Sequence, residues 1–420
     1  MVLLTATPRS SLADEPVKIH ITGLEPSQIV TIWASLTDEK GMLFKARAFY
    51  KADKNGEVDL ERDAATGGDY FGVQPMGLFW FMKPEKPFIR LMKRDVMNTP
   101  YEVHLDVFES LQLFFSSQDQ PAASQIVERW YSTPGMQRIS VRHGRIRGAL
   151  FIPAGQGPFP GVIDIFGGIG GLIEFRASLL ASSGFAVLAL AYFAYDSLPN
   201  FLYEIDLNYF EEAAEFLLKH PKVCGPGVGV LGICKGAEIA LAMATFLPQI
   251  RATICINGTN AINGGPLRYR DLHIESIPYK LECIQVTEGG VLELFRSVEE
   301  THTEEHQGSI LPLEKAQGKI LFIVGESDMN YNSKAYAMQA LKRMREHGKT
   351  HCALLSYPGT GHLIEPPASP FCPCSISPFL PLPVLWGGEA QAHTTAQVNS
   401  WREIKTFFRL HLSPVQSSRL

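Results

Sequence analysis

The chain has 420 residues, 45% apolar and 19% charged, which is too long for one ordinary core and predicts two globular domains. A formal net charge of −5 argues against nucleic acid as the main partner. No apolar run is long enough to cross a bilayer as a helix, and the opening M-V-L-L-T-A-T-P-R-S-S lacks the basic start of a secretory signal.

The first 125 residues read as all-β. Val17, Ile19 and Ile21 alternate with polar neighbours, as do Val30, Ile32, Ala34 and Leu36, then Phe44, Ala46, Ala48 and Tyr50. Asn55-Gly56 supplies a hairpin-type turn before Val58 and Leu60, and Tyr101, Val103, Leu105 and Val107 give one more alternating strand. Short strands at this spacing predict an immunoglobulin-like β-sandwich over 1–125. Residues 112–125, rich in Ser, Gln, Asp and Pro, read as a linker.

From 126 to 420 the rhythm changes to strand and helix. Apolar strands are expected at 161–165, 186–191, 228–231, 252–256, 319–324 and 352–355. Helices are expected through Phe210, Ala213, Ala214, Leu217 and Leu218, over about 333–347, and through Val398, Trp401, Ile404 and Phe408. Such alternation predicts a mostly parallel sheet covered on both faces. Residues 258–313 break the rhythm and read as an insertion.

Within this half, Val228-Gly-Val-Leu-Gly-Ile-Cys234-Lys-Gly236 is a strand-to-helix elbow of the form G-x-C-x-G. A nucleophile on such a turn stands clear of the sheet, and glycines at both flanks let strand and helix backbones pass closely. The helix N-terminus after Cys234 favours thiolate. A buried cysteine in a helix–sheet contact would show the same five residues, so the remaining strand ends decide. Ligands in open α/β sheets bind beyond the carboxyl ends of the strands. Strand 319–324 is followed by Gly325-Glu326-Ser327-Asp328, and strand 352–355 by Tyr357-Pro-Gly-Thr-Gly-His362. Nucleophile, acid and histidine in that order match the chain order of an α/β-hydrolase triad. Cys234 is the expected nucleophile, His362 the base and Asp328 the residue orienting it, with Glu326 a competing carboxylate. The expected oxyanion donors are the backbone N–H of Lys235 and one from the loop after the first strand, at Gly168. That loop, Gly167-Gly168-Ile169-Gly170-Gly171, fits neither the dinucleotide nor the P-loop pattern.

Longer stretches carry a resemblance. Gly67-Gly68-Asp69-Tyr70, Pro75-Met76-Gly77-Leu78-Phe79-Trp80 and Leu91-Met92-Lys93-Arg94-Asp95-Val96 do so in the first half. In the second they are Glu128-Arg129-Trp130-Tyr131, Asp164-Ile165-Phe166-Gly167, Ile256-Asn257-Gly258-Thr259, Pro358-Gly359-Thr360-Gly361-His362-Leu363-Ile364-Glu365 and Trp386-Gly387-Gly388-Glu389. The chain resembles the acyl-CoA thioesterase and bile acid-CoA:amino acid N-acyltransferase family along nearly all its length. The resemblance implies an N-terminal immunoglobulin-like sandwich, a C-terminal α/β-hydrolase domain, acyl-CoA as substrate, and a triad on Cys234, Asp328 and His362.

The family's thioesterases typically carry serine at the elbow and its N-acyltransferases cysteine. A thioester hands its acyl group to amines more readily than an oxygen ester does, so cysteine favours transfer over hydrolysis. The expectation is transfer of a long-chain fatty acyl group from acyl-CoA to taurine or glycine, by ping-pong through an S-acyl Cys234. The alternatives are a bile acid-CoA:amino acid N-acyltransferase and an acyl-CoA thioesterase. A dienelactone-hydrolase-like enzyme would share the Cys, Asp, His set but not the first domain. Lys235, Arg176 and Arg129 are candidate partners for the acceptor's sulfonate or carboxylate. No cofactor is expected beyond the coenzyme A of the substrate. The seven cysteines, odd in number and scattered, read as thiols rather than disulfides, and the lone C-x-C at Cys372 and Cys374 does not read as a metal site. Ser418-Arg419-Leu420 reads as a variant of the peroxisomal S-K-L address, implying a peroxisomal location and an import receptor as partner.

Overall fold

A computed structural model describes residues 1–114, 119–298 and 303–413. The chain divides into two compact units, 1–132 with 366–371, and 133–365 with 372–420.

The first unit is built from two sheets. Leu3–Thr7, Lys18–Thr22 and Val58–Asp59 pair antiparallel in one. The other runs Ser10–Leu12, Ala123–Trp130, Tyr101–Phe108, Ile29–Thr37, Leu43–Lys51, Gly67–Gly68. The period of two is visible in burial: Phe44, Ala46, Ala48 and Tyr50 point inward while Lys45, Arg47 and Phe49 are half-buried. Gln125 links the two sheets by exchanging hydrogen bonds with the Ala6 backbone, each 2.9 Å. This glutamine shows why the expected boundary at 125 is too early. Residues 123–130 form a strand that pairs with Tyr101–Phe108 over seven positions, so the expected linker ends as a central strand and the unit closes at Ser132. Gln125 and Arg129 hide the strand from a composition reading, because they are buried on hydrogen bonds rather than on apolar contacts, while Ile126 faces outward.

The second unit carries an eight-stranded sheet. We number its strands β1 (Gln137–His143), β2 (Ile146–Ile152), β3 (Phe159–Ile165), β4 (Ala186–Ala191), β5 (Val223–Ile233), β6 (Ile250–Ile256), β7 (Lys319–Gly325) and β8 (Cys352–Tyr357). Their spatial order is β1-β2-β4-β3-β5-β6-β7-β8, with β2 antiparallel to β1 and β4 and every later pair parallel. Helices α1 (Phe175–Ser182), α2 (Leu207–Leu218), α3 (Lys235–Phe246), α4 (Ser333–Glu346) and α5 (Ala390–Leu412) connect or follow these strands. This is the α/β-hydrolase architecture. Strand β4 is buried at all six residues and β3 at its last five, as a sheet covered on both faces requires. Each such Val, Leu or Ile contributes about 1.5–3 kcal/mol of burial. Strand β1 escapes the periodicity reading because Val141 is its sole buried residue.

The expected insertion lies between β6 and β7, and it is not self-contained. Its Leu267–Tyr269 and Leu272–Ile274 form a small sheet with Ile205–Asp206. Its Gln285–Val286 and Leu292–Glu293 join Cys374–Ser375 and Val384–Leu385 in another. Among the described residues no helix is long and apolar enough to cross a membrane.

Candidate active site

Strand β5 ends at Ile233, and Cys234 follows with φ 57° and ψ −124° before α3 begins at Lys235. Non-glycine residues avoid this backbone region, which costs of order 1–3 kcal/mol and persists only where the surroundings impose it. They do so through the two glycines. A Cβ on Gly232 would lie 2.2 Å from the carbonyl oxygen of Gly236, and one on Gly236 would lie 2.4 Å from that of Ile165 in β3. The Cys234 N–H bonds the Ile256 carbonyl at 3.0 Å, tying the turn to the end of β6.

The acid and the histidine come from the ends of β7 and β8. His362 Nδ1 lies 2.9 Å from both oxygens of Asp328. Asp328 Oδ1 also accepts from the N–H groups of Asn330 (2.8 Å) and Tyr331 (3.1 Å), and Oδ2 accepts from the Ser333 hydroxyl at 2.6 Å. The carboxylate is buried with each oxygen engaged, so it holds one orientation. Glu326, the competing carboxylate, is exposed and bonds Ser356 and Lys334 instead. Geometry therefore selects Asp328.

His362 Nε2 is buried and makes no complete hydrogen bond. The Cys234 sulfur is close enough that each group shifts the other's ionisation. Burial pulls the His362 pKa down, but the charges of Asp328 and Cys234 and the Asp328 hydrogen bonds outweigh it and raise the pKa to about 10. For Cys234, burial opposes thiolate. The charge of the neighbouring His362, first, and then the Tyr331 hydroxyl and the Lys235 backbone N–H pull its pKa below the usual thiol range. Cys255 is buried with no histidine charge beside it; burial and the Glu238 charge outweigh the Gly258 backbone N–H and push its pKa up to about 12. The contrast isolates the cause: location at the elbow beside His362, not burial, favours the thiolate at Cys234.

Several supporting residues were not legible as site residues. Tyr331 places its hydroxyl 3.8 Å from the Cys234 sulfur, and its ring packs edge-on against His362 at 5.5 Å. Trp386 stacks on the imidazole with ring centres 5.7 Å apart. Asn257, at the end of β6 with φ 45°, donates to the carbonyls of Gly361 (3.1 Å) and His362 (2.7 Å) and accepts from the Gly325 N–H (2.8 Å). One side chain thus fixes both the acid-bearing and the histidine-bearing loops. His393, in α5, accepts from the Gly361 N–H at 3.1 Å and donates to the Leu363 carbonyl at 2.8 Å. Burial lowers its pKa to about 4, keeping it neutral for that double role. In sequence these are an asparagine after a strand, a tryptophan and two ring-bearing residues. Only a left-handed asparagine at a strand end could have been suspected.

The expected oxyanion loop lies beside Cys234. A Cβ on Gly167 would meet the Cys234 Cβ at 3.0 Å, Gly168 lines the cavity in front of the sulfur, and the Tyr192 hydroxyl bonds the carbonyls of Phe166 and Gly167 at 2.9 Å each. The three candidate anion-binding cations have other partners. Lys235 Nζ is buried between Glu238 (2.6 Å) and the Asn263 carbonyl (2.5 Å). Arg176 is buried against Asp164 in the β3–α1 contact. Arg129 lies in the first unit, donating to Ser11 and to the Ala13 and Glu15 carbonyls. None is placed to receive an acceptor's anionic group without losing those bonds. All seven cysteines carry thiols, and no metal-ligand cluster occurs among the described residues. Ser418, Arg419 and Leu420 lie outside those residues.

A cavity of about 260 Å³ opens on the sulfur, lined by Gly168, Phe193, Tyr279, Tyr331 and Phe379 among others. A thiol whose pKa is lowered, at such a cavity and beside an acid-oriented histidine, can take up and pass on an acyl group.

The comparisons with known proteins agree with that chemistry. Residues 14–143 match the family described as acyl-CoA thioester hydrolase/BAAT N-terminal region, and residues 205–414 match BAAT / acyl-CoA thioester hydrolase C terminal. Over 412 residues the chain is 57% identical to acyl-coenzyme A amino acid N-acyltransferase 2 of Rattus norvegicus, spanning 98% of each chain. It is 53% identical over 422 residues to the bile acid-CoA:amino acid N-acyltransferase of Homo sapiens, spanning 100% of each. Against acyl-coenzyme A thioesterase 1 of Homo sapiens the identity is 46% over 404 residues, covering 95% of this chain and 94% of that one.

Proposed function

Since the chain belongs to the acyl-CoA thioester hydrolase/BAAT family, we propose that it transfers a long-chain fatty acyl group from acyl-CoA to the amino group of taurine or glycine. The observation that carries this reading is the depressed thiol of Cys234 beside an imidazole held by Asp328. The Cys234 thiolate attacks the thioester carbonyl. The N–H groups of Lys235 and Gly168 receive the oxyanion; losing one such donor typically adds about 2.7–4 kcal/mol to the barrier. The carbon–sulfur bond to coenzyme A then breaks, and the departing thiolate takes the proton held on His362 Nε2. The acceptor's amine enters, His362 removes a proton from it, and the amine displaces Cys234 as the amide forms. Water can take the amine's place, which gives free acid as a side product.

A bile acyl donor is the second reading, favoured by 53% identity to a bile acid-CoA:amino acid N-acyltransferase. Incubating the protein with palmitoyl-CoA and with choloyl-CoA, each with taurine, glycine or neither, separates the readings by product mass. N-palmitoyl conjugate is the expected product. Conjugated cholate alone would move the donor to bile acids, and free acid whatever the amine would make the protein a thioesterase.

A further inference from the structure

A second and larger cavity, about 590 Å³, lies beside the first, and both are lined by Phe201, Leu202 and Glu204. Taking about 30 Å³ per heavy atom, the share of one molecule in liquid water, the cavity at Cys234 holds roughly nine heavy atoms. That is enough for a thioester, a short stretch of chain and an incoming amine, and too little for a long acyl group. On the same scale the second cavity holds roughly twenty.

The surfaces of the two cavities describe an occupant. On the Cys234 side Phe379 packs against Phe193 at 5.6 Å and against Phe201 at 5.8 Å, so the route away from the sulfur is walled by aromatic rings. Beyond Phe201 the larger cavity is lined by Leu198, Tyr192 and Phe210. Its two cations are paired within the protein: Arg145 with Asp206 and Glu212, Arg147 with Asp196. A guanidinium already matched by carboxylates does not attract a phosphate, so the cavity suits an uncharged tail. We infer that the larger cavity receives the distal half of a linear acyl chain whose carbonyl sits at Cys234, with the chain passing at Phe201 and Leu202. The inference rests on the acyl-CoA reading above and assigns that reading a chain-length determinant.

Leu198 lines only the larger cavity, and Ser197, exposed on its rim, does the same. Each methylene kept in apolar surroundings is worth roughly fourfold in binding, so filling this space penalises long chains selectively. The test measures coenzyme A release from hexadecanoyl-CoA and hexanoyl-CoA by wild type, Leu198→Trp and Ser197→Trp, in variants that keep the wild-type melting temperature. The ratio of kcat/KM for hexadecanoyl over hexanoyl is expected to fall at least about tenfold in Leu198→Trp, from exclusion of a few methylenes, and less in Ser197→Trp. If Leu198→Trp does not fold, Ser197→Trp decides alone. A ratio equal to wild type in every folded variant overturns the inference while leaving acyl-CoA turnover standing. Wild type that turns over neither thioester overturns the function reading and the inference with it.

Discussion

The nucleophile side of the site and its acid–base side are held by opposite means. Five consecutive residues, Gly232 to Gly236, build the elbow, and its strain is confined to Cys234 and enforced by two backbone contacts. The histidine side is assembled from afar: Asn257 reaches residues more than a hundred positions away, Trp386 and Tyr331 pack on the ring, and His393 bonds the backbone on either side of it, all from separate segments. A local device is written in spacing and can be read. A distributed one is written in tertiary contacts, and single residues of ordinary type carry it.

Substitutions on the two sides should therefore fail differently. The largest effect is expected at the point where they meet. His362→Ala should lower turnover by about 10⁴-fold or more, as removal of a member of such a unit does. It should also move the pH midpoint for iodoacetamide alkylation of Cys234 upward. The sign follows from the causes: with the His362 charge gone, burial dominates and resists thiolate. A midpoint unchanged in the variant would detach the thiol from the histidine. Next, Gly236→Ala should destabilise the fold by about 1–3 kcal/mol through overpacking against the carbonyls of Ile165 and Phe166, read by denaturant unfolding. Asn257→Ala should cost about 1–3 kcal/mol by leaving buried backbone groups unpaired. It should also lower kcat and raise the alkylation midpoint by less than His362→Ala does, since the imidazole is kept but held less firmly. If alkylation shifts as far as in His362→Ala, the two sides are not separable as described. The smallest effect belongs to Tyr331→Phe. Losing one hydrogen bond to sulfur should raise the midpoint by less than about one pH unit.

The sequence announced most of the hydrolase architecture because buried parallel strands are apolar runs and the elbow is a compact pattern. It announced Cys234, Asp328 and His362 as a set because three strand ends in a fixed order leave few choices, and the structure brings those three together. Where it fell short, the physics differed. Strand Ala123–Trp130 buries Gln125 and Arg129 and exposes Ile126, so it shows no apolar alternation, and its first three residues fall in the expected linker. Strand Gln137–His143 lies at the sheet edge and buries one residue. Lys235 and Arg176 looked like ligand cations because charge near a site suggests a ligand. Each instead has a buried carboxylate partner that no spacing rule identifies.

The central claim is that the acyl group rests on Cys234 before it meets an amine. Intact-protein and peptide mass spectrometry after rapid mixing with palmitoyl-CoA reads this directly, followed by a second mix with taurine. The expected result is one palmitoyl adduct on the peptide holding Cys234, lost on adding taurine as N-palmitoyltaurine appears at the same rate. Product formed without any adduct, or an adduct that taurine does not discharge, would contradict it.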